Sequence, residues 1–188
     1  MIVWISGPTG AGKSTLANSF CELGYSLVEE QIPADVYNAF SADPARYCFP
    51  LQEAIMQSRY EACRALAKGS HVVFDRSIDE DAKVFCRMHH ELGLIDDYQY
   101  GQLLQFSLKL QSAMSVPDVI IFVCAPLVVL RKRVIGATHA PIIVDNLERQ
   151  LSLYTDWLTT RREDILRIDN SACRSAITQQ LFQRGRQC

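Results

Sequence analysis

No C-x-x-C pair and no Cys/His spacing typical of a metal site occurs in the 188 residues. The seven cysteines (Cys21, Cys48, Cys63, Cys86, Cys124, Cys173 and Cys188) are odd in number and scattered. That pattern argues against a disulfide framework and for reduced thiols filling the core. A basic field is missing too: the net charge is −2 with both signs interspersed, so no run of cations is present to hold a nucleic-acid backbone, and a polynucleotide partner is not expected. No apolar run approaches the roughly 20 residues that a membrane span needs. The first apolar run starts at Ile2, leaving no room for a leader peptide, so a cytoplasmic protein is expected. Internal repeats and low-complexity stretches are also lacking. With 48% hydrophobic residues the chain has enough apolar surface for one core, and residues 1–188 are read as a single domain.

What is present is organised around Ile2–Thr15. The short β-branched run IVWIS is followed at once by GPTGAGKST, which fits G-x-x-x-x-G-K-[ST] between Gly7 and Ser14, and then by apolar residues at helical spacing. Gly7, Gly10 and Gly12 allow a tight turn that aims successive N–H groups inward, and the following helix adds its positive end to that nest. A polyphosphate is the expected guest. Lys13 reaches toward its β- and γ-phosphates, and the Ser14 hydroxyl is the expected Mg²⁺ ligand.

Along the chain, YSLVEE reads as a second strand ending in two carboxylates, one of which, Glu29 or Glu30, faces the phosphate loop. Short and long helices are expected over Pro33–Phe40 and Pro44–Lys68, the latter with a kink or break at Pro50. HVVFD is the third strand, and helices over Asp79–Leu92 and Asp97–Met114 follow. PDVIIFVC is the fourth strand, and VVLRKRV a basic helix. A helix over Val144–Arg162, the strand DILRID and a closing helix over residues 172–184 complete the chain. Strands alternating with helices of this length imply βαβ units and a parallel sheet covered on both faces.

Phosphoryl transfer needs more than a phosphate loop. Glu30 and Asp75 close strands that overhang it, one suited to take a proton from an acceptor hydroxyl and the other to hold Mg²⁺, and Arg76 beside them suits charge on a transferred phosphoryl group. A surface ion pair is the alternative for Asp75 and Arg76. Gln52 and Arg59 share a face of the long helix, as Asp81 and Phe85 share one of the next. An amide, a carboxylate with its orienting guanidinium and an aromatic ring would together read and stack on a base; a solvated face and ordinary core are the alternative. His89 and His90, adjacent on a helix, point to different faces and suit surface and core positions better than a metal.

These blocks resemble the deoxyribonucleoside kinase family. The likeness rests on GPTGAGKST, the strand-end VEE, DPARYCFPLQEAIMQSR, VVFDRSIDEDAKVFCRMHHELGLID, and PDVIIFV followed by an arginine-bearing helix and LERQLSLYTDWL. The resemblance implies transfer of the γ-phosphate of ATP to the 5′-hydroxyl of a deoxynucleoside in nucleotide salvage, with Mg²⁺. It implies a P-loop kinase fold of five parallel strands ordered 2-3-1-4-5 in a helical shell, and a homodimer. Glu30 looks like the general base, with Lys13 and Arg76 as the other catalytic groups. Gly7, Pro8, Thr9, Gly10, Ala11, Gly12, Lys13, Ser14 and Thr15 are implied to hold ATP, with Ser14 and Asp75 at the metal. Gln52, Arg59, Asp81 and Phe85 look like the base-reading set of members acting on purine deoxynucleosides or deoxycytidine rather than thymidine. Departures are also visible. The lid, about residues 133–143, is short and lacks the R-G-R segment, leaving Arg131 and Arg133 as its cations. Ser41 stands where the family has the tyrosine that meets the sugar 3′-hydroxyl. The rival expectations are a kinase for a ribonucleoside, nucleotide or other small acceptor, and a nucleotide-binding regulator without transfer activity.

Overall fold

Strand β1 (Ile2–Ser6) lies at the middle of the molecule because its residues from Val3 onward are buried on both faces of the sheet. A computed structural model describes residues 1–29, 31–32, 34–66, 69–137 and 139–171. Strand β1 pairs in parallel with β3 (Val72–Asp75) on one side and with β4 (Val119–Cys124) on the other. The edges are β2 (Ser26–Val28) and β5 (Asp164–Asp169), giving the expected order β2-β3-β1-β4-β5. Consecutive parallel strands need helical crossovers, and these cover both faces. Helix α1 (Lys13–Glu22) and α7 (Leu127–Val134) enclose one core with Val3, Ile5, Val73 and Val123. On the other face, Trp4, Phe74 and Phe122 pack against Tyr154 and Trp157 of α9 (Leu147–Thr159). A third core lies away from the sheet, among α2 (Ala34–Ala42), α3 (Pro44–Arg64) and α6 (Asp97–Gln111).

Several elements depart from expectation for local reasons. Strand β2 stops at Val28, beside Phe74; one more rung would set Glu29 next to Asp75, two like charges side by side. Helix α3 runs through Pro50 without a break. Pro50 is exposed, so the Arg46 carbonyl that loses its partner faces water. Its start is well defined: Asp43 accepts from the Arg46 N–H at 3.2 Å, and Pro44 takes the first turn. The helix expected over Val144–Arg162 is two helices, α8 (Pro141–Asp145) and α9. Pro141 starts the first, and the Asn146 side chain donates to the Ile142 carbonyl where the two meet.

The helix expected over Asp79–Leu92 is composite. After α4 (Ile78–Glu80), capped by Ser77, residues Asp81–Cys86 form a π-helical segment before α5 (Arg87–Glu91). Such wide turns occur mostly at functional sites. The expected helix over 172–184, Cys173, Cys188 and Glu30 lie outside the described residues. Among the described residues no helix is long and apolar enough to cross a membrane.

Candidate active site

A cavity of about 530 Å³ opens where the C-terminal ends of β1 and β3 meet the helical layer. Its floor is the loop after β1. Gly7 has φ 147°, and a Cβ there would sit 2.2 Å from the Val123 carbonyl oxygen, so only glycine lets the loop cross β4 this closely. Gly12, at φ 97°, turns the chain into α1. Gly10, Gly12, Lys13, Ser14, Thr9 and Thr15 line the cavity, whereas Gly7, Pro8 and Ala11 form the buried back of the loop. The Lys13 ammonium donates to the Pro8 carbonyl at 3.0 Å.

Two residues from distant helices and strands fix this loop. The Gln150 side-chain oxygen accepts from the Thr9 N–H at 3.1 Å and the Thr9 hydroxyl at 3.0 Å, while its amide nitrogen donates to the Ile143 carbonyl. Asn170, directly after β5, donates from its side chain to the Ala11 carbonyl at 2.7 Å. Its own carbonyl accepts from Arg133, which also reaches the Gly10 carbonyl. Arg133 and Asn170 line the cavity; Arg131, expected as a second lid cation, is exposed and does not. The two are neighbours but one on α7, and only one can face inward.

Above the loop, Asp75 and Arg76 line the cavity. Arg76 is the one non-glycine among the described residues with positive φ, 70°. A conformation this sparsely populated costs on the order of 1–3 kcal/mol and is held by its surroundings. Arg76 donates to the Glu80 carboxylate at 2.9 Å and contacts the Tyr154 hydroxyl at 2.7 Å, and its guanidinium lies 4.3 Å from the Phe85 ring centroid. Tyr154 also donates to Glu80. Burial, with Glu80 close by, pushes the Tyr154 phenol well up, so it stays a donor. On the same helix, Trp157 donates to Asp79 at 2.6 Å.

The far end of the cavity is made of side chains. Arg59 is fully buried, and its Nε donates to Asp81 at 3.0 Å while another nitrogen donates to the Asp75 carbonyl. A buried guanidinium and carboxylate are tolerable only when paired in this way. Gln52, also buried, accepts from the Cys86 thiol at 3.5 Å. Burial drives both neighbouring thiols up, Cys48 to about 12 and Cys86 well above its usual range, so neither is a thiolate. Gln52, Asp81 and Phe85 line the cavity with Leu51, Ile55 and Phe40, and Arg59 stands behind Asp81. His89 and His90 do diverge: His90 bonds Asp97 and stacks on Tyr100, while His89 is buried in the cavity wall.

Ser41 is not part of this cavity. It opens onto a neighbouring one with Asn38 and Pro141, and Tyr37, one turn earlier on α2, lines both. Of these α2 residues, the one that also faces the cavity with the phosphate loop is Tyr37. Its hydroxyl accepts from the Ala140 N–H at 2.8 Å, tying the lid segment to α2. At the end of β2, Glu29 lines the cavity. Tyr37, Glu80, Gln150, Tyr154 and Asn170 were not singled out from the sequence. Gln150 and Tyr154 stand one helical turn apart inside LERQLSLYTDWL, a spacing that could have paired them on an inward face; nothing local marks Asn170.

The deoxynucleoside kinase family model matches residues 3–180. The chain is 37% identical over 122 residues to a deoxyadenosine kinase of Dictyostelium discoideum, a match that covers 62% of this chain and 49% of that enzyme. It thus spans about half the length of that relative. With a deoxyadenosine/deoxycytidine kinase of Bacillus subtilis it shares 30% identity over 64% of this chain and 58% of the relative. Its fold is similar to that of a deoxyadenosine kinase from M. mycoides with bound dCTP, at a TM-score of 0.84 and 17% identity with both chains fully covered.

Proposed function

The chain belongs to the deoxynucleoside kinase family, and from that premise we propose that it transfers the γ-phosphate of ATP to the 5′-hydroxyl of a deoxynucleoside, a purine deoxynucleoside or deoxycytidine in preference to thymidine. One observation carries the proposal: the phosphate loop and the Gln52, Asp81 and Phe85 group open into a single cavity, with Asp75 and Arg76 between them. A regulator that only sensed a nucleotide would have no use for the second half of that cavity.

In this reading the loop amides and Lys13 hold the β- and γ-phosphates. Arg76, kept at its strained conformation by Glu80 and Tyr154, stabilises charge on the phosphoryl group in flight. Ser14 and Asp75 offer a hydroxyl and a carboxylate to one cavity, hard oxygen donors of the kind Mg²⁺ takes beside phosphate and water. When bound, the ion offsets phosphate charge. Gln52 and Asp81 meet the base edge, Asp81 accepting from an exocyclic amine while Arg59 fixes its orientation, and Phe85 stacks. Tyr37, with one proton still to donate, serves the sugar in place of Ser41. The acceptor's proton goes to Glu30, assigned by the strand-end motif. Glu30→Gln is expected to abolish turnover and preserve nucleoside affinity; a silent Glu30→Gln beside a crippled Glu29→Gln transfers the role to Glu29.

The same proposal includes a cytoplasmic homodimer. The described cysteines are all free, and Tyr98 and Leu108 of α6 remain 73% and 63% exposed, apolar area that a second copy would cover. The deciding experiment is ADP release with Mg-ATP across deoxyadenosine, deoxyguanosine, deoxycytidine, thymidine and adenosine. Turnover with the amine-bearing deoxynucleosides and least with thymidine is expected. No stimulation by any nucleoside, or a preference for thymidine, overturns the reading.

A further inference from the structure

His89 is 1% exposed, lies in the wall of the cavity, and among the described residues neither ring nitrogen has a hydrogen-bond partner. A buried imidazole with both polar atoms unpaired is costly, and native interiors leave few such groups without a reason. Its own surroundings supply none: the Phe40 ring meets it edge to face at 5.8 Å. The same burial lowers its pKa to about 4. At neutral pH the ring is therefore uncharged and carries one N–H donor and one acceptor.

Its position tells what it serves. The chain leaves β3 at Asp75 and runs through Asp81, Phe85 and His89, all three of which line the cavity. The π-helical turn keeps residues spaced by four to five on one side. His89 is the last of the three and lies roughly 12 Å along the axis from Asp81 at an α-helical rise. It is thus past the stacking ring from the strand end, and in the proposed reading the base is the part of the nucleoside that extends there. Gln52 and Asp81 are already committed to its pairing edge in the proposed reading. Outside that edge, and away from the sugar, a purine has a ring-nitrogen acceptor at N7; a pyrimidine presents carbon at the corresponding edge.

Resting on the proposed deoxynucleoside kinase activity, we infer that His89 is a specificity-determining residue that donates a hydrogen bond to N7 of a purine base. It makes the site one for purine deoxynucleosides ahead of deoxycytidine. Sites built around a hydrogen bond reject analogues that lack its partner, because the enzyme's own polar atom is then stranded.

The test compares 2′-deoxyadenosine with its 7-deaza analogue, in which N7 is a C–H. The wild type is expected to lose about ten- to a hundredfold in kcat/KM on the analogue. His89→Leu, of similar bulk and without polar atoms, is expected to treat the two within about twofold, with the KM for ATP unchanged. Equal use of both nucleosides by the wild type, or discrimination retained in His89→Leu, overturns the inference. If His89→Leu does not fold, ¹⁵N-histidine NMR of the wild type decides, with the His89 signals assigned by their loss in His89→Gln. Those signals should move with 2′-deoxyadenosine and not with the 7-deaza analogue or ATP alone; no movement, or the same movement with both nucleosides, counts against it. The NMR arm needs no turnover, so a protein that binds nucleosides without phosphorylating any refutes the kinase reading and leaves His89 to be judged separately.

Discussion

The two ends of the cavity are built by different means. The phosphate end is backbone: glycines at positive φ, a Thr9 N–H held by Gln150, and an Ala11 carbonyl held by Asn170. The base end is side chains: a buried Arg59–Asp81 pair, an amide, and an imidazole without a partner. A site made of backbone has its ligand chemistry fixed by the fold, since every chain that makes this turn presents the same amides. A site made of side chains can be retuned one residue at a time, but each buried polar group depends on its partner. Function within this fold should therefore be constant at one end and variable at the other.

The largest effect that would sharpen this contrast is at Lys13. Lys13→Ala should lower turnover by at least on the order of a hundred- to a thousandfold, because its ammonium is the side-chain charge that the loop itself adds to its backbone ligands. Melting should shift by no more than about 3 °C. Unchanged turnover at saturating Mg-ATP would break the phosphate-loop assignment.

At the other end the effect should appear in stability first. Asp81→Ala alone takes a carboxylate away from a fully buried guanidinium that keeps its bond to the Asp75 carbonyl, and should cost about 3 kcal/mol, read as a lower denaturation midpoint. The double change Arg59→Met with Asp81→Ala removes both charges, should recover most of that loss, and should raise thymidine activity relative to the amine-bearing nucleosides. A double variant as unstable as the single would show that the pair is not acting as a unit.

Acid should act on the base end as well. The His89 pKa is lowered from 6.5 to about 4 in the folded chain, so the unfolded chain binds this proton first. The stability conferred by a neutral His89 is present in full above about pH 6.5 and is lost as pH falls toward 4, on the order of 3 kcal/mol in all. His89→Gln should flatten that part of the stability profile measured by denaturant titration; an unaltered slope would assign it to other groups.

The smallest effect concerns the lid. Tyr37→Phe removes the acceptor for the Ala140 N–H and should cost about 1 kcal/mol. A modest rise in the nucleoside KM is expected, whereas Ser41→Ala should leave it unchanged. The opposite ranking would return the sugar to Ser41.

The same division decides what could be read from the chain alone. The strands and the phosphate loop were legible because glycine spacing and β-branched runs are local signals, while the order of the strands came from the family resemblance. Gln52, Asp81 and Phe85 were legible as a set through the family resemblance, and helical periodicity then placed them on two faces that do meet. Periodicity failed where a single residue of register matters. It predicted a regular helix where Asp81–Cys86 is π-helical, whereas Ser41, Arg131 and Arg133 were placed by the family resemblance. Contacts between residues far apart in sequence left no local trace, as with Asn170 on Ala11 and Tyr154 on Glu80. That His89 and His90 face different ways was legible, but not which of them is buried or that it is unpaired, because pairing is a property of the packed interior.

Helix α9 touches both ends. Gln150 holds the phosphate loop through Thr9, Tyr154 meets Arg76 and Glu80, and Trp157 holds Asp79 at the root of the segment that carries Asp81. These three side chains lie within about 10 Å on one rigid rod. The consequence is thermodynamic linkage between donor and acceptor. Ordering the loop around phosphate fixes α9, and a fixed α9 presents the acceptor wall already ordered, so each ligand should tighten the other by the same factor. Gln150→Leu, distant from the base, is then expected to weaken the nucleoside's response to ATP as well as the binding of ATP itself.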